Sequence, residues 1–169
     1  MSFPRMHVSL YVKDINNTVK FYEFFFNKKA DKIKDDYAKF IVESPSLIIS
    51  FVENKEKVNP NFGHLGIQID SESELLERLA KSTSVGLPIL EEMGTNCCYA
   101  SQDKFWVTDP DGYHWEVYFF HKDVEFNDPR YSKNESEQCC VPVKKKKKVV
   151  LKDLSTSSGE VCEPGSGCC

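Results

Sequence analysis

The segment MHVSLYV at residues 6 to 12 alternates apolar and polar positions, the two-residue period of a strand with one face buried. Asp14 then stands where a helix N-cap belongs, ahead of INNTVKFYEFFFNKK, in which Ile15, Val19, Tyr22 and Phe26 recur at helical spacing. Strands are predicted at Tyr37 to Val42 and Leu47 to Glu53, with Ser44-Pro45-Ser46 as the turn between them. The order then repeats. HLGIQID reads as a strand, Ser71 opens an acidic helix SESELLERLAKSTSVG that ends near Gly86, and three strands follow: PILEEM, CCYASQDKFWVTD and HWEVYFF. Asp109-Pro110-Asp111-Gly112 joins the last two as a tight turn.

A repeated order of strand, helix and strands predicts an α+β fold built from two pseudo-symmetric βαβββ modules, about 1–56 and 62–126, with a shared cleft where an active site would lie. The pattern stops near residue 127. From there the chain is polar, carries the run Lys144 to Lys148 and ends STSSGEVCEPGSGCC, so residues 127–169 are predicted to be a flexible Lys- and Cys-rich tail.

Composition changes this picture in three places. The net charge of -4 lacks the basic face that phosphate neutralisation demands, which excludes a general nucleic-acid binder. No stretch approaches the roughly 20 apolar residues of a membrane span, and the first dozen residues lack a signal-peptide pattern, so a cytoplasmic protein is expected. Of seven cysteines, five fall at 139 or beyond, which fits reduced thiols better than a disulfide scaffold.

Chemistry concentrates in the adjacent pair Cys97-Cys98, predicted at the start of a strand. Neighbouring cysteines close a disulfide only through a strained eight-membered ring, whereas two neighbouring thiolates clamp one soft atom. The competing reading is that both simply fill space as small apolar residues. In the tail, Cys139-Cys140, Cys162 and Cys168-Cys169 are candidates for capturing soft ions and handing them on by ligand exchange, and the lysines read as a solvated spacer.

The repeat also aligns a set of metal ligands. His7 lies near the start of the first strand of module one, His64, 57 residues on, opens the corresponding strand of module two, and Glu116 lies on the final strand. Two imidazoles and one carboxylate form a facial triad that leaves positions open on Fe(II) for substrate and oxygen. His114 and His121 are assigned to the turn and to the chain after the last strand, both in solvent. Tyr99, Phe105 and Trp106 are candidates for an organic-group pocket, although alternation forbids Phe105 and Trp106 from facing the same side. Gln102, Asp103 and Lys104 are predicted to form a turn, with Lys104 placed to favour thiolate formation.

HVSLYVKDINNTVKFYEFFFN, NFGHLGIQI and above all EEMGTNCCYASQDKFWVTDPDGYHWEVY give residues 5–122 a resemblance to the vicinal oxygen chelate (glyoxalase/bleomycin resistance/dioxygenase) superfamily, in particular its carbon-arsenic lyase and cadmium-induced protein branch. The resemblance implies that His7, His64 and Glu116 are catalytic residues that bind Fe(II), and that Cys97 and Cys98 bind a trivalent organoarsenical substrate. It further implies an oxygen-dependent lyase that converts methylarsenite or aromatic arsenicals to arsenite. The alternative is a protein that sequesters cadmium or arsenite through its cysteines without turnover; a third reading is another superfamily metalloenzyme, an isomerase or ring-cleaving dioxygenase. Ni(II), Co(II) and Mn(II) suit the same donors as Fe(II), and both a monomer and a homodimer agree with two modules in one chain.

Overall fold

The computed structural model describes residues 3–97 and 99–125, with the side chain of Cys97 outside that description. The chain runs β1 (Met6–Val12), α1 (Ile15–Phe25), β2 (Lys32–Lys34), β3 (Tyr37–Val42), β4 (Leu47–Glu53), a short 3-10 turn (Lys55–Lys57), β5 (Leu65–Ile69), α2 (Glu72–Ser84), β6 (Ile89–Cys97), β7 (Ala100–Thr108) and β8 (His114–Asp123). Two four-stranded mixed sheets result, ordered β1-β4-β3-β2 and β5-β8-β7-β6. In each, the first strand of the module pairs in parallel with its last, and the remaining pairs are antiparallel. The two predicted βαβββ modules are therefore present.

Local chemistry fixes the element ends. Asp14 Oδ1 accepts from the Asn17 amide and Ser71 Oγ from the Glu74 amide, so each helix starts on a side-chain acceptor for an otherwise unpaired N–H. Glu72 and Glu74 in the first turn of α2 and Lys81 in its last complement the helix dipole. At the β7–β8 turn, Asp109 Oδ1 accepts from the amides of Asp111 and Tyr113, and Gly112 takes a φ of +97°, the left-handed region a side chain would resist.

Helix α1 buries Ile15, Thr18, Phe21, Tyr22 and Phe25, a wider face than the predicted one. Tyr22 explains the width. Its hydroxyl donates to Asp109 Oδ2 at 2.9 Å and accepts from Trp115 Nε1 at 3.0 Å, while the Phe25 and Phe26 rings pack on Trp115 at 5.0 and 5.8 Å. A helix of module one thereby grips module two. The Tyr113 hydroxyl donates back to the Tyr11 carbonyl, and the Lys13 amide to Asp111 Oδ1. Buried apolar side chains of both modules form a single core cluster. Among the described residues no helix is long and apolar enough to cross a membrane.

Two local expectations are corrected, and one strand is added. Gln102, Asp103 and Lys104 lie inside β7, because mutual pairing with neighbouring strands buries polar groups that would otherwise favour a turn. The reversal falls instead at Tyr99, whose φ is +63°, with Cys97 closing β6 opposite Ala100 at the head of β7. Cys97 thus ends a strand instead of starting one. Strand β2, short and exposed at all three residues, carries no apolar alternation that would announce it.

Candidate functional site

Strand β8 runs between β5 and β7, so Glu116 has neighbours on both sides: Gly66 on β5 and Trp106 on β7. A methyl group at Gly66 would stand 3.6 Å from Glu116 Oε2, so glycine leaves that oxygen open space. His64, immediately before β5, fills part of the opening: its Nε2 lies 3.5 Å from Glu116 Oε2. The Trp106 ring meets the imidazole edge-to-face at 4.9 Å and limits its rotation.

The other carboxylate oxygen is committed. Lys104, two residues before Trp106 and hence on the same face of β7, lies wholly buried with Nζ 3.0 Å from Glu116 Oε1 and 3.5 Å from Glu92 Oε2. Trp106 Nε1 also donates to Glu92 Oε2, at 3.1 Å. An ammonium thus holds two carboxylates, and Glu116 presents Oε2 alone beside the His64 nitrogen. An imidazole nitrogen and a carboxylate oxygen side by side are the donor types that suit a first-row divalent ion.

His7 stands apart from this pair. It lies on β1 in module one, exposed, with Nε2 3.2 Å from the Oγ of buried Ser50. Among the described residues no three His, Cys, Asp or Glu side chains converge as a metal-holding group. The structure therefore joins two members of the predicted triad and leaves the third on its own strand.

Both competing histidines lie within β8 and not in the turn or after the last strand, although His121 is exposed as predicted. His114 opens β8, half-buried, with Nδ1 3.1 Å from Thr108 Oγ1. It occupies the same face of β8 as Glu116, two residues on. His121 lies within β8 and pairs with Asp103 at 2.8 Å. Alternation does separate the two aromatic candidates: Trp106 faces His64, whereas Phe105 lines a cavity of about 260 Å³ with Phe24, Phe25 and Ser82 of the helices. Phe105 is therefore core, and Tyr99 is 60% exposed at the hairpin tip. Cys98 and the tail cysteines Cys139, Cys140, Cys162, Cys168 and Cys169 lie outside the described residues.

The Lys104–Glu92–Trp106 arrangement is the part that sequence reading did not find. Its signal was available in the alternation of Lys104 and Trp106 opposite Glu116, and was hidden by reading Gln102-Asp103-Lys104 as a turn.

Comparison with known proteins bears on this arrangement. Residues 6–117 match the glyoxalase/bleomycin resistance protein/dioxygenase superfamily. A probable trivalent organoarsenical cleaving enzyme of Bacillus subtilis is 40% identical over 136 residues, covering 80% of this chain and 90% of the relative. The cadmium-induced protein CadI of Mycobacterium bovis is 36% identical over 141 residues, covering 80% and 92%. Among solved structures, one described as a possible glyoxalase from Bacillus cereus superposes with a TM-score of 0.54 at 22% identity, over 69% of this chain and 98% of the other, a likeness of fold.

Proposed function

Because the chain belongs to the glyoxalase/bleomycin resistance protein/dioxygenase superfamily, in the branch of the organoarsenical cleaving enzymes and cadmium-induced proteins, we propose that it is a lyase that breaks the carbon–arsenic bond of trivalent organoarsenicals. The observation that carries the reading is the pairing of His64 with Glu116 on the sheet whose strand β6 ends at Cys97, the residue next to Cys98 in the sequence.

His64 and Glu116 fit a divalent ion by donor type, and His7 is the proposed third ligand from module one. Fe(II), when bound, supplies the redox chemistry with dioxygen that cleavage of a carbon–arsenic bond calls for. The chain's own residues do the rest. Lys104 keeps Glu116 Oε1 occupied and leaves Oε2 for the ion, and Trp106 holds the His64 ring in place. The cysteine pair fixes the substrate, since As(III) is soft and prefers thiolates to the oxygen and nitrogen donors of the metal site. Holding arsenical and ion in one protein replaces a bimolecular encounter, an effect worth up to about 7–11 kcal/mol for well-oriented groups. Methylarsenite and aromatic arsenicals are the proposed substrates and arsenite the product.

The test is arsenite release from methylarsenite, under air, by protein reconstituted with Fe(II). Release that needs both iron and air and is lost in His64→Ala is the expected result. Tight arsenical binding without product would assign the protein to sequestration, the reading that the five tail cysteines and the likeness to CadI favour.

A further inference from the structure

The cavity of about 260 Å³ lies between the two helices, and its floor is apolar and drawn from both modules: Phe25 of α1, Phe105 of β7 and Val117 of β8. Phe105 stands between Lys104 and Trp106 on β7, and Val117 follows Glu116 on β8, so these side chains leave the strands on the face opposite the candidate site. An apolar cavity of roughly 150 Å³ already accepts a benzene ring. The space here admits a ring and a short polar arm.

Two polar groups give that space its chemistry. Ser82 of α2 lines the cavity and is only 6% exposed. The hydroxyls that follow it turn back to the helix, Thr83 Oγ1 to the Leu79 carbonyl at 2.8 Å and Ser84 Oγ to the Lys81 carbonyl at 2.7 Å, whereas the Ser82 hydroxyl has no hydrogen-bond partner among the described residues. No buried side-chain polar atom among those residues lacks a partner, so the Ser82 oxygen is reached from the cavity and not sealed in the core. At the rim, Lys81 stands four residues after Glu77, the spacing that favours an ion pair on a helix. Its Nζ goes instead to Asn27 Oδ1 at 3.0 Å and lies 5.4 Å from the centre of the Phe24 ring, two neutral groups of module one. Arg78, by contrast, is neutralised on its own helix, with Nε and Nη2 on Glu74 Oε1 at 2.8 and 2.7 Å. Lys81 is therefore the cation that the rim offers.

We propose that this cavity is a binding site for a small aryl carboxylate, its ring on Phe25, Phe105 and Val117 and its carboxylate taken by the Lys81 ammonium and the Ser82 hydroxyl. The class follows from the parts. An apolar floor suits a flat ring, an ammonium and a hydroxyl donor suit a carboxylate, and the volume keeps the arm between them short. Lys81 is the anchor in preference to exposed Glu77 because groups of the other module hold its ammonium across the gap between the helices. A bound ligand would touch both modules and so strengthen their junction. The site does not depend on the arsenical chemistry of the opposite face.

Phenylacetate is the probe, titrated into the full-length protein and followed by calorimetry and by backbone amide shifts in heteronuclear NMR. Saturable binding with a Kd of about 1 mM or tighter is expected, with shifts at Lys81, Ser82 and the end of α1. Lys81→Ala and Ser82→Ala should each weaken it about threefold or more, and Lys81→Arg should keep most of the affinity. Lys81 is exposed, so its variants keep the fold and decide the matter even where a change at Ser82 disturbs the core. Phenethylamine, which carries the same ring and the opposite charge, should bind about tenfold more weakly. No saturation by phenylacetate overturns the site, as does wild-type affinity in Lys81→Ala or shifts confined to the face of His64 and Glu116. Phenethylamine binding as tightly as phenylacetate overturns it too, since Glu77 would then be the anchor and an amine the ligand.

Discussion

Two buried polar clusters, one at the junction of the modules and one beside the candidate site, solve the same physical problem in opposite ways. At the junction, Asp109 is buried against Tyr22 and Trp115 with hydrogen bonds but no contacting cation among the described residues. Burial pushes its carboxyl up to about 6 despite those bonds, and burial with the nearby Asp109 charge pushes the Tyr22 phenol well above its ordinary range. In module two, the wholly buried Lys104 ammonium lies between Glu116 and Glu92. Where only connection is needed, neutral or nearly neutral donors suffice. Where two carboxylates are brought together out of water, a fixed cation between them offsets their repulsion.

The largest effect is expected from removing that cation. Lys104→Ala leaves two mostly buried carboxylates facing each other without a counter-charge, and denaturant unfolding should show a loss of about 3–5 kcal/mol. A loss as small as that of a surface pair would abolish the contrast between the two clusters.

Next comes the pH response of the junction. The Asp109 carboxyl sits at about 6 in the folded protein against 3.8 for the free group, so the folded state holds the proton more tightly. Its contribution is full below pH 3.8 and is lost as pH rises toward 6. Unfolding free energies between these limits should therefore fall with pH through this group, and Asp109→Asn should flatten that component. Tyr22→Phe, which removes a donor from Asp109 and an acceptor from Trp115, should cost about 1–3 kcal/mol at neutral pH in the same unfolding assay.

The smallest effect marks the scale. Arg78 and Glu74, a half-exposed pair one turn apart on α2 at 2.7 Å, should contribute about 0.3–0.5 kcal/mol, measured by a double-mutant cycle. Burial is what separates it from Lys104.

Much of the fold was legible because burial and periodicity coincide in it. The strands at 37–42 and 47–53, the capped starts of both helices and the Asp109–Gly112 turn all stand where hydropathy and turn chemistry put them. Polar residues buried by pairing were not legible. Gln102 and Lys104 are almost fully buried inside β7, yet their composition signals a turn, because a scale of single residues carries no term for a partner on the next strand. Likewise His64 and Glu116 could be drawn together from the repeat, since each module pairs its first and last strands. His7 could not be placed by that logic, since it belongs to the other sheet and finds Ser50 there.

The parallel pairing of first and last strands in each module has a consequence for synthesis. His64 and Glu116 are 52 residues apart in the chain, and β5 has no strand partner until β8 has emerged. Such distant pairing makes for slow, late closure. On a ribosome, module one can complete its sheet while module two is still an open helix and hairpin, so any ion that needs both His64 and Glu116 binds only after translation of the folded domain is essentially finished.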